Sequence, residues 1–572
     1  MQSGKRVLSA SRGKKVKLIL RSGKSVRFDK RSLYEPTFRS REISRRFDLK
    51  HLDLPTKVKS TLPPKKEEKK IFLGFGGNPN MQIQYPIWMP SQIFNSNIFI
   101  GGASGGGKTS LMCRLVAGAL NTYGTVVLGE AKGGEEGYSD GAAFTELSAY
   151  LSHKILDGKN TYRWPRGNCW FNPLLALESK NSRRNDLENL AITRTNIKKF
   201  VNSLFLNVST TDAQYAAARD RIKTIMGTLI EYMIYFPPEK PSENSCTLET
   251  LVAFLNDPKQ WKKANKKCKK FSKDDKLARK QQVEIVTALT KNRFFIIADK
   301  PDEFAYGATA GEVTRILNLL NQPDLLKYTQ PVKDDNGNAL PQLKISAIFD
   351  QRSLVVISQP LSDDSAGITG AMFWDAMLGY AVKKGPKREG ENVAVFLDET
   401  YRLPTSRLGD AAGETRQYRI GIVEVTPKLP EPTKWTNESI VYRTLISVST
   451  GVQKVVQEIH TRLLPRQQKL MNMVITTKDA KLDVDAEANN NRDIDQAQSN
   501  KGVSVDSLSD TGGQTAIFHS TTDFIGSQHL FWLDLYSPLF EEKIFTELLQ
   551  NALHSKIAGQ VADYVLGLID PP

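Results

Sequence analysis

The hydrophobic positions of the chain form short apolar runs that alternate with longer amphipathic stretches. Apolar runs of strand length occur at residues 96–100, 125–130, 343–349, 353–358 and 392–397. Apolar residues at helical spacing predict helices at residues 111–120, 193–206, 213–235, 248–254 and 370–383. Further runs predict strands within residues 71–89 and at residues 420–425, 442–447, 515–519 and 529–535, and one or two helices within 540–568. Strands alternating with helices indicate an α/β fold with a parallel-rich sheet.

Two segments interrupt this alternation. Residues 181–320 show only helical patterns, which predicts an all-α insertion, and lysines recur along its second half, between Lys262 and Lys273. Those lysines fit either a solvated helix surface or a DNA contact. Residues 478–500 are polar and rich in Asp and Asn, which predicts a surface insertion or a disordered loop.

The positive charge is concentrated at the start of the chain. Residues 1–70 contain 22 Lys and Arg against 7 Asp and Glu, which leaves +15 of the net charge of +17 in this arm. Alternating apolar and basic residues at 15–20 and 24–28 predict a small hairpin, and residues 31–70 read as an extended linker. Such an arm suits an anionic partner, nucleic acid or a membrane surface, or it is a solubilising tail.

Composition excludes several classes of protein. The most apolar window, residues 222–236, contains Lys223 and Glu231, so no transmembrane segment is expected, and the N-terminus lacks the pattern of a signal peptide. The four cysteines form no C-x-x-C pair, which favours reduced thiols and a cytoplasmic protein. The six histidines show no ligand spacing, so no zinc site is expected.

The first chemical motif follows the apolar run at residues 96–100. The spacing from Gly102 to Gly107-Lys108-Thr109 fits G-x-x-x-x-G-K-[ST], with a predicted strand before it and a predicted helix after it. In such a loop, backbone N–H groups surround phosphates, the lysine reaches the β- and γ-phosphates, and the threonine ligates Mg²⁺. We therefore expect ATP and Mg²⁺ to bind at Gly102, Gly105, Gly106, Gly107, Lys108, Thr109 and Ser110.

The second motif is a pair of acids that ends the apolar run at residues 392–397. Asp398 is the expected ligand of the Mg²⁺ shell, and Glu399 is the expected general base for the attacking water. Together with the phosphate loop, these acids predict an ATPase. Lys108 and Asp398 lie 290 residues apart, which requires an inserted domain between them.

Four local matches give the chain a family resemblance. They are the phosphate loop, G-E-A-K-G-G-E at residues 129–135, F-N-P-L at residues 171–174, and L-D-E at residues 397–399 with T-R-Q-Y-R-I-G-I at residues 415–422. Over roughly residues 71–540 the chain resembles the additional-strand RecA-like ATPases of the HerA/FtsK superfamily, and within it the type IV coupling proteins and conjugative ATPases. Glu130 stands where that family has aspartate, and the family's sensor glutamine is replaced around Thr426.

The resemblance implies a domain organisation and a shared active site. It implies a RecA-like P-loop motor domain at residues 71–180 and 321–539, interrupted by the insertion at 181–320, with the basic arm at 1–70 and a C-terminal helical tail at 540–572. Arg416 falls on the family's arginine that reaches the neighbouring subunit's nucleotide site, so it is an expected catalytic residue in a homo-hexamer. A surface arginine with no such role is the alternative.

These observations predict an ATP-driven ring motor that translocates or couples DNA in conjugative or mobile-element transfer. Expected partners are DNA, bound without sequence preference, and secretion or relaxosome proteins, which would recruit the protein to the inner face of a membrane. The alternatives are a type IV secretion-type ATPase that handles substrate or pilin without gripping DNA, a viral DNA-packaging ATPase, and a degenerate ATPase that serves as an assembly scaffold.

Overall fold

The computed structural model of the 572-residue chain describes its secondary-structure framework and the segments that join much of it. The described residues are 15–19, 25–29, 70–77, 85–102, 107–130, 142–179, 185–205, 213–235, 246–256, 266, 314–318, 320–358, 366–386, 390–398, 415–426, 444–448, 515–520, 529–534 and 542–569. The expected linker at residues 31–70, except Lys70, most of the second half of the insertion and the polar segment at residues 478–500 lie outside them.

An eleven-stranded sheet organises the described part of the chain, in the order β4-β3-β13-β12-β11-β5-β10-β9-β6-β8-β7. A separate antiparallel hairpin pairs β1 with β2, as the alternating pattern of the arm predicts. The strands are β1 Lys15–Ile19, β2 Ser25–Asp29, β3 Lys70–Gly77, β4 Tyr85–Pro90, β5 Ile98–Gly101, β6 Gly124–Glu130, β7 Thr161–Trp164, β8 Leu354–Ser358, β9 Asn392–Asp398, β10 Ile420–Thr426, β11 Thr444–Val448, β12 Thr515–Ser520 and β13 His529–Asp534.

The strands from β11 to β7 are all parallel, and the other end of the sheet is antiparallel. Strands β12, β13, β3 and β4 pair antiparallel there. The last strand in the sequence, β13, therefore pairs with β3, the first strand of this sheet. One strand, β10, lies between β5 and β9. This is the additional-strand arrangement of a RecA-like α/β fold, and it confirms the predicted fold class.

Helices cover both faces of the parallel strands. The helices are α1 Lys108–Thr122, α2 Ala142–Leu156, α3 Asp186–Ser203, α4 Ala213–Tyr235, α5 Leu248–Asn256, α6 Pro323–Tyr328, α7 Ile345–Asp350, α8 Ala366–Lys384, α9 Glu542–Ala552 and α10 Lys556–Val565, with short 3₁₀ helices at Ser91–Ser96, Leu175–Leu177 and Arg416–Tyr418. In β6, β8 and β10 every residue is buried, because both faces of these strands are covered.

Alternate residues of the central strands enter two separate hydrophobic cores. Val127 and Val395 pack with α3, α4, α5 and α8, whereas Val126 and Phe396 pack with α1, α2, α9 and α10. The insertion helices therefore share a core with one face of the sheet. The two tail helices confirm the amphipathic pattern predicted for residues 540–568, and they cover the other face.

One sequence-based assignment was wrong: residues 343–349 do not form a strand. Ile345–Asp350 is helix α7, in which Ile345, Ile348 and Phe349 are buried. Alternation at positions 343, 345 and 349 suggested a strand, but the spacing from Ile345 to Ile348 and Phe349 also fits one face of a helix, and that face packs onto the core.

Among the described residues, no helix combines the length and the apolar composition that crossing a membrane requires.

Candidate nucleotide site

The phosphate loop connects a buried strand to a buried helix, as its motif requires. All four residues of β5 are buried, and Leu111 to Leu120 of α1 are buried as well. Gly107 precedes α1 with φ 93°, in the left-handed region that favours glycine. The N–H groups of the first turn of α1 therefore point towards the loop, where the helix N-terminus stabilises an anion. Gly105 and Gly106 lie outside the described residues.

Lys108 lies across the mouth of this loop. Its Nζ donates a hydrogen bond to the carbonyl oxygen of Gly102, at 2.7 Å, six residues earlier in the chain. The Gly102 N–H in turn donates to the carbonyl oxygen of Thr426 at the end of β10, at 3.3 Å. Thr109 and Ser110 follow in the first turn and are half-buried. The ammonium group thus joins the two described ends of the loop, Gly102 and the start of α1.

Asp398 ends β9 at the same edge of the sheet as the loop. Val425 of β10 pairs with Asp398 on one side and with Ile100 on the other, so Asp398 is level with the residue that precedes Gly101. Two strand spacings separate the two backbones by about 10 Å. Asp398 is buried, with 5% of its surface exposed. Glu399, the expected general base, comes directly after it and lies outside the described residues.

A second acid, Glu130, ends the next strand along the same edge. Gly129 of β6 pairs with Leu397 of β9, so Glu130 and Asp398 are at neighbouring positions. Glu130 is fully buried, and its Oε2 lies 3.2 Å from Nη2 of Arg163 on β7. Burial raises the pKa of Glu130 to about 7, Arg163 opposes this shift and the charge of Asp398 adds to it. The sequence motifs did not identify Arg163, because its role depends on the order of strands β6, β8 and β7.

Arg416 lies at the opposite edge of the sheet from these groups. It is exposed and begins the short 3₁₀ helix that leads into β10, whereas the loop and Asp398 are at the carboxyl ends of the strands. The seven residues of β10 span about 20 Å at roughly 3.3 Å per residue. Arg416 is therefore not brought together with the other predicted site residues within one chain.

The described residues fit a magnesium–nucleotide complex. Lys108 and the N-terminus of α1 would supply positive charge for phosphates, and Thr109 would supply a hydroxyl group beside them. Asp398 would supply the carboxylate oxygen that Mg²⁺ prefers, level with the loop. The buried acids at this edge also need a cation, a proton or a guanidinium to compensate their charge.

Comparison with known proteins gives only distant similarities. No family model and no curated protein sequence matches the chain. Among solved structures, the bacterial conjugative coupling protein TrwBdeltaN70 in complex with sulphate aligns at 11% identity and a TM-score of 0.45, over 79% of this chain and 88% of that one. VirB4 of Thermoanaerobacter pseudethanolicus aligns at 12% identity and a TM-score of 0.44, over 84% of this chain and 99% of that one. At this level of similarity, the strand order and register of the chain itself define its fold class.

Proposed function

We propose that this protein is an ATP-hydrolysing ring motor that translocates or couples DNA, in conjugative or mobile-element transfer. The observation that carries the proposal is the placement of Lys108 and Asp398. Lys108 joins the two ends of the phosphate loop. Asp398 ends β9, which lies two strands from β5, at the same edge of the sheet. The motifs of this sequence also resemble those of type IV coupling proteins and conjugative ATPases.

Each residue of the site has a distinct role in this proposal. Lys108 and the loop bind the phosphates, and Thr109 and Asp398 hold the hydrated Mg²⁺, which supplies charge neutralisation when bound. Glu399 accepts a proton from the attacking water. Arg416, at the far edge of its own sheet, acts on the nucleotide of a neighbouring subunit in a homo-hexamer.

The basic arm is the proposed DNA contact. Its 22 Lys and Arg against 7 Asp and Glu give residues 1–70 a net charge of +15, and the β1–β2 hairpin pairs Lys17 with Arg27 in backbone register. A segment of this charge attracts a polyanion. Contacts with its phosphates would be independent of sequence.

ATP turnover measured with and without single- and double-stranded DNA tests the proposal. We expect DNA to stimulate hydrolysis by the full chain, Lys108→Ala to abolish nucleotide binding, and Glu399→Gln to bind ATP but hydrolyse it about two orders of magnitude more slowly. Lys159→Ala, at an exposed lysine away from the loop, is the matched control and should behave like the wild type.

Removal of residues 1–70 separates the two parts of the proposal. The truncated chain should keep its basal ATP turnover, bind DNA more weakly and show a flatter dependence of affinity on salt, because fewer counterions are released. Unchanged DNA affinity and salt dependence would show that the arm docks on an acidic protein or a membrane instead. No ATP turnover by the wild type under any condition would contradict the motor itself and favour an assembly scaffold.

A further inference from the structure

Glu130 and Asp398 form a pair of buried carboxylates at the carboxyl edge of the sheet. Neighbouring parallel strands carry them, and the register Gly129 to Leu397 makes them adjacent. Glu130 has no exposed surface and Asp398 has only 5%. Two buried carboxylates at adjacent positions repel each other unless a positive charge lies beside them or one of them binds a proton.

Arg163 compensates only part of the Glu130 carboxylate. The Nη2–Oε2 contact of 3.2 Å engages one oxygen, and the same guanidinium donates through Nη1 to Oγ1 of Thr145 on α2, at 2.7 Å. The other oxygen, Oε1, is buried and accepts no hydrogen bond from the residues that the structure describes. A buried acceptor of this kind is costly, and a donor that arrives with a ligand would satisfy it.

We propose that Glu130 is a positioning residue of the metal–nucleotide site: Arg163 fixes one of its oxygens, and the other accepts a hydrogen bond from water bound to Mg²⁺ beside Asp398. This inference rests on the proposed nucleotide site. Mg²⁺ retains several of its waters when protein binds it, and acceptors for those waters orient the ion.

A purely structural role is the competing explanation. The Arg163–Glu130 contact also ties β7 to β6 across β8, and an ion pair of this kind can serve packing alone. The two roles differ in one measurable quantity. A positioning residue changes the Mg²⁺ concentration that nucleotide binding needs, whereas a packing residue changes only the stability of the fold.

The test is binding of a fluorescent ATP analogue to the full chain, first in EDTA and then over a Mg²⁺ titration. Glu130→Gln keeps the shape of the side chain, so we expect unchanged affinity in EDTA and a rise of about tenfold or more in the Mg²⁺ concentration at half-saturation. Glu130→Asp keeps the charge and should give a smaller rise. Arg163→Lys keeps a cation but loses the fork that orients Glu130, and it should also give an intermediate rise.

Asp563→Asn is the matched control. Asp563 is a buried acid of α10 that accepts hydrogen bonds from Tyr150 and Lys154, remote from the loop, and its loss should leave the Mg²⁺ titration unchanged. A Mg²⁺ titration of Glu130→Gln that matches the wild type would overturn the inference. If Glu130→Gln does not fold, unchanged titrations of Glu130→Asp and Arg163→Lys would overturn it equally. Failure of the wild type to bind the analogue at all would instead contradict the nucleotide site.

Discussion

Asn97 and Gly421 set the approach of the strand that leads into the phosphate loop. Asn97 is buried with φ 50° and ψ 145°, a backbone conformation that residues with a side chain rarely adopt, and its Oδ1 accepts a hydrogen bond from the N–H of Ile422 at 2.9 Å. Next to it, the carbonyl oxygen of Phe94 lies so close to the Cα of Gly421 that a Cβ atom added there would overlap it. Single residues therefore fix how β5 docks beside β10, and with it the height of the loop relative to Asp398.

Gly421→Ala should destabilise the protein, because the added methyl group would meet a backbone carbonyl that cannot move without shifting the strand. We expect a cost of about 2 kcal/mol or more, seen as a lower apparent melting temperature. Gly227→Ala on α4 is the matched change: its Cβ would have Ile197 as its nearest neighbour, at 3.7 Å, so it should be neutral or stabilising by about 0.5–1 kcal/mol. Equal melting temperatures for the two variants would contradict the close approach.

At the scale of elements, the insertion helices begin and join in defined ways. Asn185 accepts from the N–H of Glu188 at 2.8 Å, and Glu188 accepts from the N–H of Asn185 at 3.1 Å, which forms a capping box at the start of α3. Arg194 of α3 then contacts Glu231 of α4 at 2.7 Å. Asn172, in the turn that precedes the 3₁₀ helix Leu175–Leu177, donates a hydrogen bond to the carbonyl oxygen of Cys246 at 2.7 Å. This bond connects the turn to the segment before α5.

Asn185→Ala should loosen the first turn of α3, because two backbone N–H groups lose their acceptors or the geometry that holds them. A loss of about 1 kcal/mol is expected for such a cap. Hydrogen exchange should accelerate at the amides of the first turn of α3 and stay unchanged in α8. Asn185→Asp retains an acceptor and should exchange like the wild type, and faster exchange spread over both helices would argue against a local cap.

At the scale of the whole molecule, a segment early in the sequence and a segment late in it both contact α1, the helix that follows the phosphate loop. Arg114 of α1 is buried and donates to the carbonyl oxygens of Leu73 on β3, at 3.1 Å, and Val565 at the end of α10, at 3.3 Å. Its guanidinium also lies 5.7 Å from the centre of the Phe72 ring. The helix that presents Lys108 is thus held by segments from near the beginning and the end of the chain.

The opposite placement of Arg416 predicts that active sites are shared between subunits. Arg416→Ala should bind ATP like the wild type and hydrolyse it poorly, because its own loop is intact. Mixing Arg416→Ala with Lys108→Ala subunits should restore part of the turnover, since some interfaces then pair an intact loop with an intact arginine. Arg419→Ala, an exposed neighbour before β10, is the control. No recovery at any mixing ratio, in rings shown to exchange subunits, would contradict the shared site.

Local patterns were sufficient for the strand and helix that flank the phosphate loop, for most of the other strands and for the helices α3, α4 and α8. A buried strand or an amphipathic helix leaves its period in a few consecutive residues, and the loop needs glycines and a lysine at fixed offsets. The same reasoning failed at residues 343–349, where the apolar positions fit both periods, and packing onto the core selected the helix. The antiparallel end of the sheet was also not predicted, because partner strands are set by contacts distant in sequence.

In the candidate site, too, some features are predicted by local motifs and others depend on the tertiary structure. Lys108, Thr109 and Asp398 are predicted from their motifs, since each motif holds its chemistry within a few residues. Strand order and register determine three further relations: Glu130 is adjacent to Asp398, Arg163 contacts Glu130 from β7, and Arg416 lies at the opposite edge of the sheet. No local pattern encodes these relations, because burial of both sheet faces decides which strands become neighbours and hence which charges meet at the carboxyl edge.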